Sequence, residues 1–287
     1  MNSLASQIGM ICDHIRPDER MLIDSARNKG IDLHVYNAED IFFEVTNPKE
    51  KFLEPVILQR SISYFRGLHI TALLESKGVK VVNSYKAASI CGNKALTSIA
   101  LSKHRIPTPK TLLAFTEGAA LKALDTLGYP AILKPVTGSW GRLIAPLKDV
   151  DSAKAIFESR EYMFPLYQIY YLQEMIERPQ RDIRCFAIGD HAVAAIYRYS
   201  APGDWKTNIA RGGKAEPCSI TPQIEELALK AAKAVGGGAF GVDIMESDHG
   251  LLVHEVNSTT EFRSTTETTG VDIPGILLDY LVETART

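Results

Sequence analysis

The segment AFGVDIMESDHGLLVHEVN, near the C-terminal end, carries the residue types and spacing best suited to chemistry. Asp248, His249 and Gly250 read as a three-residue hairpin loop with glycine in the left-handed position. That register sets Ser247 opposite Leu251, Met245 opposite Val253 and Asp243 opposite Glu255. Glu255 and Asn257 are two apart and share one strand face. Asp243, Glu255 and Asn257 are therefore expected to converge. Like charges set opposite each other destabilise a sheet, so such a pair faces water or holds a cation. Two carboxylates and an amide oxygen make a hard-oxygen set suited to Mg²⁺ shared with substrate phosphates. The strongly apolar flanks favour the cation over a merely solvated face.

Four other segments carry usable chemistry. In KPVTGSWGR, Lys134 precedes a loop holding Gly138, Ser139, Trp140, Gly141 and Arg142. It lies between two expected strands, so a Walker-type loop, which must enter a helix, is excluded. A strand–loop–strand glycine flap over phosphates and a plain hairpin turn both remain open. Lys94 follows Cys91-Gly92-Asn93 at an expected helix start, where backbone N–H groups favour anions. The run Gln173-Glu174-Met175-Ile176-Glu177 ends a strand that could grip a nucleobase edge-on, with a carboxylate for ribose hydroxyls. Just beyond it, Asp182 and Arg184 share a strand face. Finally, YRYSAPGDWKTNIARGGKAE brings Arg198, Lys206, Asn208 and Arg211 beside a glycine pair. Arginine suits bidentate recognition of carboxylate or phosphate.

The elements that must position these residues follow from periodicity. Residues 1–87 alternate strand and helix in the order β-α-β-β-α-β, which predicts an open sheet with helices on both faces. Residues 88–178 read as an α+β unit containing the glycine loop, and residues 179–287 as a second α+β unit ending in the hairpin and a last helix from Ile273. The expected class is α/β (α+β), in three units.

Composition narrows the function. The 287 residues carry 32 Lys+Arg against 34 Asp+Glu, so no strong overall field attracts nucleic acid or an anionic membrane. No apolar run reaches the roughly 18–20 residues of a membrane span, and the N-terminal stretch lacks a basic region before an apolar one. Cys12, Cys91, Cys185 and Cys218 are scattered without a C-x-x-C pair, so a reducing, cytoplasmic setting is expected.

Taken in order, these motifs resemble the ATP-grasp superfamily. Within it they resemble the RimK-like group and, there, the LysX/ArgX type of ligase. The likeness rests on IRPDER, NSYKAASICGNK, LKPVTGSWGRL, QRDIRCF, TNIARGGKAE and EVNSTTEFRSTTETTGVDIPG. It implies an N-terminal pre-grasp domain and two subdomains that grip ATP. It further implies an ADP-forming ligase in which ATP and Mg²⁺ activate a carboxylate as an acyl phosphate that an amine then attacks. In that type the carboxylate is the side chain of the C-terminal Glu of the small acidic carrier LysW. The amine belongs to α-aminoadipate in lysine biosynthesis or to glutamate in arginine biosynthesis. A RimK-like ligase that glutamylates another protein tail is the remaining alternative.

The resemblance also assigns roles. Lys94, Lys134, residues 138–142, Gln173–Glu177, Asp182 and Asn208 fall at ATP, and Asp243, Glu255 and Asn257 at the metal. Arg184, Arg211 and Asn208 act on the transferring phosphoryl group. Arg198, Asn257, Thr259, Glu261, Phe262, Arg263, Ser264 and Thr265 serve substrate, the last few as a selectivity loop. Ser264-Thr265 stands where glutamate ligases resemble Gly-Phe and aminoadipate ligases resemble Asn followed by Thr or Ser, so aminoadipate is favoured and dual use stays open. An acidic carrier needs a basic docking face, for which Arg16, Arg20, Lys77 and Lys80 are candidates. A homo-oligomer is expected from the resemblance alone.

Overall fold

The computed structural model describes residues 7–47, 52–138, 141–201 and 213–287. It contains three sheets. The first is built from β1 (Gln7–Cys12), α1 (Pro17–Lys29), β2 (Asp32–Asn37), β3 (Val56–Gln59), α2 (Tyr64–Ser76) and β4 (Lys80–Val82). Its order is β2-β1-β3-β4, with every pairing parallel. β1 and β3 are apolar runs buried along nearly their whole length, as parallel strands covered on both faces must be. β2, at the edge, keeps an alternating pattern.

A helical pair, α3 (Tyr85–Cys91) and α4 (Lys94–Lys103), leads to the second sheet. The break between them is chemical: the Asn93 side chain accepts the backbone N–H groups of Ala95 and Leu96 and starts α4 afresh. The second sheet takes β5 (Thr111–Ala114), β6 (Ala131–Lys134), β7 (Ala145–Leu147) and β8 (Tyr170–Glu174) in the order β5-β8-β6-β7, antiparallel throughout. Helices α5 (Glu117–Leu127) and α6 (Val150–Glu161) cover it around Leu124, Phe157 and Leu172.

The third sheet holds β9 (Arg181–Ile188), β10 (His191–Tyr199), β11 (Lys214–Pro217), β12 (Ala239–Ser247) and β13 (Gly250–Asn257) in the order β11-β10-β9-β12-β13. Helix α7 (Pro222–Val235) buries its alanine-rich face on one side of it, against Ile183, Cys185, Val242 and Val253. The chain closes with α8 (Arg263–Thr269) and α9 (Ile273–Arg286).

Three features depart from expectation. The hairpin turn has two residues rather than three, since Ser247 pairs with Gly250 and Met245 with Leu252. Ser247 Oγ donates to the Gly250 carbonyl at 2.8 Å and closes the tighter turn. A bulge at His254 then takes up the extra residue, so Asp243 still lies opposite Glu255. The expected selectivity loop is largely the helix α8, because Asp18 in α1 accepts the N–H groups of Phe262 at 2.5 Å and Arg263 at 3.1 Å and Gly270 ends the helix in the left-handed conformation. The four basic candidates do not form one docking face. Arg16 and Arg20 lie where α1 begins, beyond the carboxyl ends of the parallel strands, while Lys77 and Lys80 lie at their amino ends.

The last helix belongs to the first sheet. Ile273, Leu277, Leu278 and Leu281 pack into one core with Ile8, Met10, Leu22 and Val56, and Phe186 and Ile188 of the third sheet join them. Leu278 is fully buried in this shared core. Leu278→Ala should lower the unfolding free energy by about 2–5 kcal/mol, read from urea denaturation, since the cavity opens between two sheets.

Candidate active site

The third sheet turns one face to α7 and the other to a set of charges. Arg184 in β9 lies opposite Asp243 in β12, which lies opposite Glu255 in β13. Asp182 lies opposite Arg198 on the other side of β9. Directly opposed residues project to the same face, so all five stand together.

Each carboxylate is met by a cation. Arg184 donates to both oxygens of Asp243, at 2.6 and 2.7 Å. Arg198 forks onto Asp182 with two bonds of 2.8 Å, and its Nη2 also lies 3.1 Å from Asp243. Lys94 Nζ sits 2.9 Å from Glu255 Oε1. Asp182, Asp243 and Arg198 are all buried, where an unpaired charge would be costly. Burial alone would raise the pKa of Glu255, but Lys94 beside it holds the group down at about 2. Arg198 and Asp182 shift apart in the same way: burial opposes both charges, but Asp243 and then Asp182 hold Arg198 charged, and Arg198 holds Asp182 ionised. Arg198 was expected to hold a substrate carboxylate; the structure instead commits its Nε and Nη2 to protein carboxylates.

The second sheet supplies the opposite wall. Lys134, at the end of β6, is buried and donates to Gln173 Oε1 at 2.6 Å. Gln173 is held in turn through Nε2 by Thr111 at 3.0 Å and Tyr171 at 3.1 Å. Burial pushes the Lys134 ammonium down to about 8, with Glu255 pulling the other way. Lys94, at the first turn of α4, joins the two walls. Its backbone N–H donates to Val136 at 2.7 Å and its Nζ to the Gly138 carbonyl at 2.9 Å, at the entry to the glycine loop. Counted over the site, Lys94, Lys134, Arg184 and Arg198 outnumber the carboxylates of Asp182, Asp243 and Glu255 by one. An anionic ligand would restore the balance.

Along the hinge, the Glu174 carboxylate accepts the Lys110 backbone N–H at 2.5 Å, which ties it to the chain rather than leaving it for a ribose. Met175 and Glu177 are exposed and Ile176 half-buried. The expected substrate loop is partly internal. Phe262 belongs to the core and lies under the Arg60 guanidinium at 5.4 Å, so it props the loop rather than lining it. Thr265 is buried as well, whereas Thr259, Glu261 and Arg263 are exposed and Ser264 half-buried. Glu261 meets Arg16 at 3.3 Å, and Arg263 pairs with Glu267 at 2.9 Å. Gly138, Gly141 and Arg142 border the flap. Ser139, Trp140, Asn208 and Arg211 lie outside the described residues.

Three contributors were not anticipated. Arg60 donates to Glu19 at 2.8 Å and to the Thr260 carbonyl at 2.7 Å, fastening the first sheet to the loop after β13. Thr260 takes the Gly241 N–H at 2.8 Å, and a Cβ on Gly241 would meet the Thr260 side chain at 2.5 Å, so only glycine permits this fold-back. Arg160 is buried and donates to the Leu143 carbonyl at 2.8 Å, just past the glycine loop. Its signal was available: with Ala153 and Phe157 it falls on the buried stripe of α6.

As a metal centre, the site offers Asp243, Glu255 and Asn257 on one face, with Asn257 Nδ2 3.3 Å from Asp243 Oδ2. No group of three or more His, Cys, Asp or Glu side chains among the described residues could hold a metal ion. A closed protein cage is therefore absent from that part of the chain. Two carboxylates and an amide oxygen, completed by water and phosphate oxygens, fit Mg²⁺.

A family model described as a RimK-like ATP-grasp domain matches residues 91–281, and one described as a LysX preATP-grasp domain matches residues 8–90. The chain is 35% identical to the alpha-aminoadipate–LysW ligase LysX of Sulfurisphaera tokodaii, over 96% of this chain and 98% of that protein. To the glutamate–LysW ligase ArgX of the same organism it is 31% identical, over 96% and 98%. Among solved structures it is similar to a RimK domain ATP-grasp protein of Sphaerobacter thermophilus, with a TM-score of 0.81 and 25% identity over 96% of this chain and 99% of that one.

The position of Lys134 sets a pH dependence. Its folded pKa of about 8 lies below the ordinary lysine value of 10.5, so between those values the unfolded chain holds a proton that the folded chain has lost. Stability from this group therefore rises with pH across that window. Urea midpoints from pH 7.5 to 10 should show wild type gaining on Lys134→Met as pH rises; parallel curves would contradict the buried ammonium.

Proposed function

The chain belongs to the RimK-like ATP-grasp family, and from that membership we propose that it joins the α-amino group of α-aminoadipate to the side-chain carboxylate of the C-terminal Glu of an acidic LysW-type carrier. The enzyme is an ATP-dependent carboxylate–amine ligase. The observation that carries the reading is the facing pair of walls. Lys134 and Gln173 on one sheet oppose Arg184, Asp243 and Glu255 on another, with Lys94 bridging them at the mouth of a glycine loop. Such a cleft, with one positive charge in excess, suits a nucleotide triphosphate.

Lys94 and Lys134 would meet the phosphates, and Gln173 keeps the Lys134 ammonium aimed. Asp243, Glu255 and Asn257 would hold Mg²⁺, which when bound offsets charge on the phosphate oxygens. Arg184, fixed by Asp243, would lie where charge develops on the transferring group. Asn208 and Arg211 would act there too, on the strength of the TNIARGG motif. The carrier carboxylate oxygen attacks the γ-phosphorus and ADP leaves with the bridging oxygen. The amine nitrogen then attacks the acyl carbon, phosphate departs, and the amine gives up a proton. Residues 88–178 and 179–287 would be the two gripping units, with residues 1–87 and α9 presenting the substrate loop.

Greater likeness to the aminoadipate ligase than to the glutamate ligase supports the choice of amine. Glutamate is the second reading, because one methylene separates the two and is worth only about 1–3 kcal/mol in a pocket. ADP release with Mg-ATP and a LysW-type carrier tests both. Turnover with α-aminoadipate should exceed that with glutamate by about tenfold or more, the lower end of what one methylene allows. Comparable turnover would make the enzyme bifunctional, and none with either would send the assignment to another acceptor. Glu255→Ala should abolish turnover. Lys134→Met should weaken ADP binding at least about tenfold, the loss of one charge-assisted contact, without lowering the melting temperature.

A further inference from the structure

We propose that the pocket at the carboxyl ends of β3 and β4 receives the C-terminal end of the carrier peptide, and that the Ser61 hydroxyl binds the amide of its last residue. The inference rests on the ligase reading and adds where the carboxylate donor lies. The wall of the pocket includes Gln59, Ser61, Tyr64, Asn83, Ala88 and Thr259. Open at its mouth, it holds about 320 Å³, near the lower end for ligand sites. That size suits the end of a chain rather than a folded domain.

Ser61 is the buried lining group left over. Gln59 Oε1 accepts the Ser61 N–H at 3.1 Å, and Asn83 is spent on the Ala239 and Ser258 carbonyls. Thr71, deeper in the wall, donates to the Gly67 carbonyl at 2.8 Å. Ser61 is 4% exposed, yet its hydroxyl finds no partner among the described residues. A buried polar group left unpaired costs free energy, so a ligand that pairs with it is favoured. No Asp, Glu, Lys, Arg or His lines the pocket among the described residues. A free amino acid would bring an ammonium and carboxylates that find no counter-charge there. A peptide amide is polar and uncharged, and a hydroxyl can both donate to it and accept from it.

The topology places the pocket where a substrate is needed. In the order β2-β1-β3-β4 the chain leaves β1 and β3 in opposite directions, and open parallel sheets bind ligands beyond the carboxyl ends at such a point. Asp13, just after β1, accepts the Ile62 N–H at 2.8 Å and ties that edge to the residue following Ser61. Ser258 and Thr259, which close the pocket, directly follow Asn257 of the expected metal set. The pocket therefore opens beside the region where a carboxylate must meet the transferring phosphoryl group. Two substrates must reach that region. Helix α8, which carries Ser264 and Thr265, packs on β10 and β11 at one edge of the third sheet. Helix α3, which borders the pocket through Ala88, packs on β13 at the other edge. With the amine expected at α8, the β13 edge is left for the carboxylate donor.

The test is steady-state kinetics with Mg-ATP, α-aminoadipate and a LysW-type carrier ending in Glu. Ser61→Ala should raise the KM for carrier about two- to tenfold, the effect of one neutral hydrogen bond, with the KM for ATP and for the amino acid unchanged. Ser61→Thr, which keeps the hydroxyl, should recover part of the loss. Ala88→Leu, which fills the pocket without adding a polar atom, should raise the carrier KM at least as much at an unchanged melting temperature. On wild-type protein, a free peptide of the carrier's C-terminal end should compete with carrier. Replacing its last amide by an ester should weaken that competition, and should add nothing in Ser61→Ala. A carrier KM within about a factor of two of wild type in folded Ser61→Ala and Ala88→Leu overturns the assignment, since even one hydrogen bond moves it further. A rise in the amino-acid KM instead, or an ester that competes as well as the amide, also overturns it. Wild type that releases no ADP with carrier and either amino acid overturns the ligase reading itself, a result distinct from these.

Discussion

The carboxylate of Asp243 governs the geometry of the cleft. It is buried in β12, between β9 and β13, and both its oxygens are taken by Arg184, with Arg198 close behind. Two guanidinium groups on neighbouring strands would repel one another without it. With it, β9, β10 and β12 are cross-linked by charge on one face while α7 and its apolar stripe secure the other. Removing one partner of such a buried pair strands the rest, at a cost of about 3–5 kcal/mol. The same bonds fix the Arg184 guanidinium in one orientation on this face rather than leaving it to be gathered when a ligand arrives.

The cleft also depends on contacts far apart in sequence. Lys94 stands on α4, yet it reaches Gly138 in the second unit and Glu255 in the third. Arg60, Glu19 and Asp18 come from the first sheet and hold the segment from Thr260 to Arg263. Asn83, at the end of β4, donates to the Ala239 and Ser258 carbonyls at 2.6 and 2.7 Å. The first unit therefore sets where the loop after β13 lies, and α9 returns to complete that unit's core. The segment expected to select substrate is therefore held in place by the first and third units together.

Much of this was legible in the chain. Local signals are dictated by near neighbours: the alternation in β2, the apolar runs of β1 and β3, the helix start at Lys94 and the pairing of Asp243 with Glu255 all follow from residues within a hairpin or a turn. The order of motifs likewise marked Lys94, Lys134 and Gln173 as companions, because covalent order survives whatever the fold does. The two-residue turn was misread because Gly250 fits a longer loop equally well, and the bulge at His254 concealed the error by returning Glu255 to its place.

What only the tertiary structure decided is which charges are spent on each other. Residue type makes Arg198 and Arg184 equally good ligands for an anion; their environment commits Nε and Nη2 of Arg198 to protein carboxylates and fixes Arg184 against Asp243. Type makes Phe262 and Thr265 plausible specificity residues; burial turns them into supports. By itself the sequence determined the fold class, the chemical inventory and the strand pairing that brings two carboxylates face to face, since these depend on periodicity and nearest neighbours. Tertiary structure decided desolvation, and with it the depressed pKa of Lys134 and the capping of α8 by Asp18, because burial is set by segments distant along the chain.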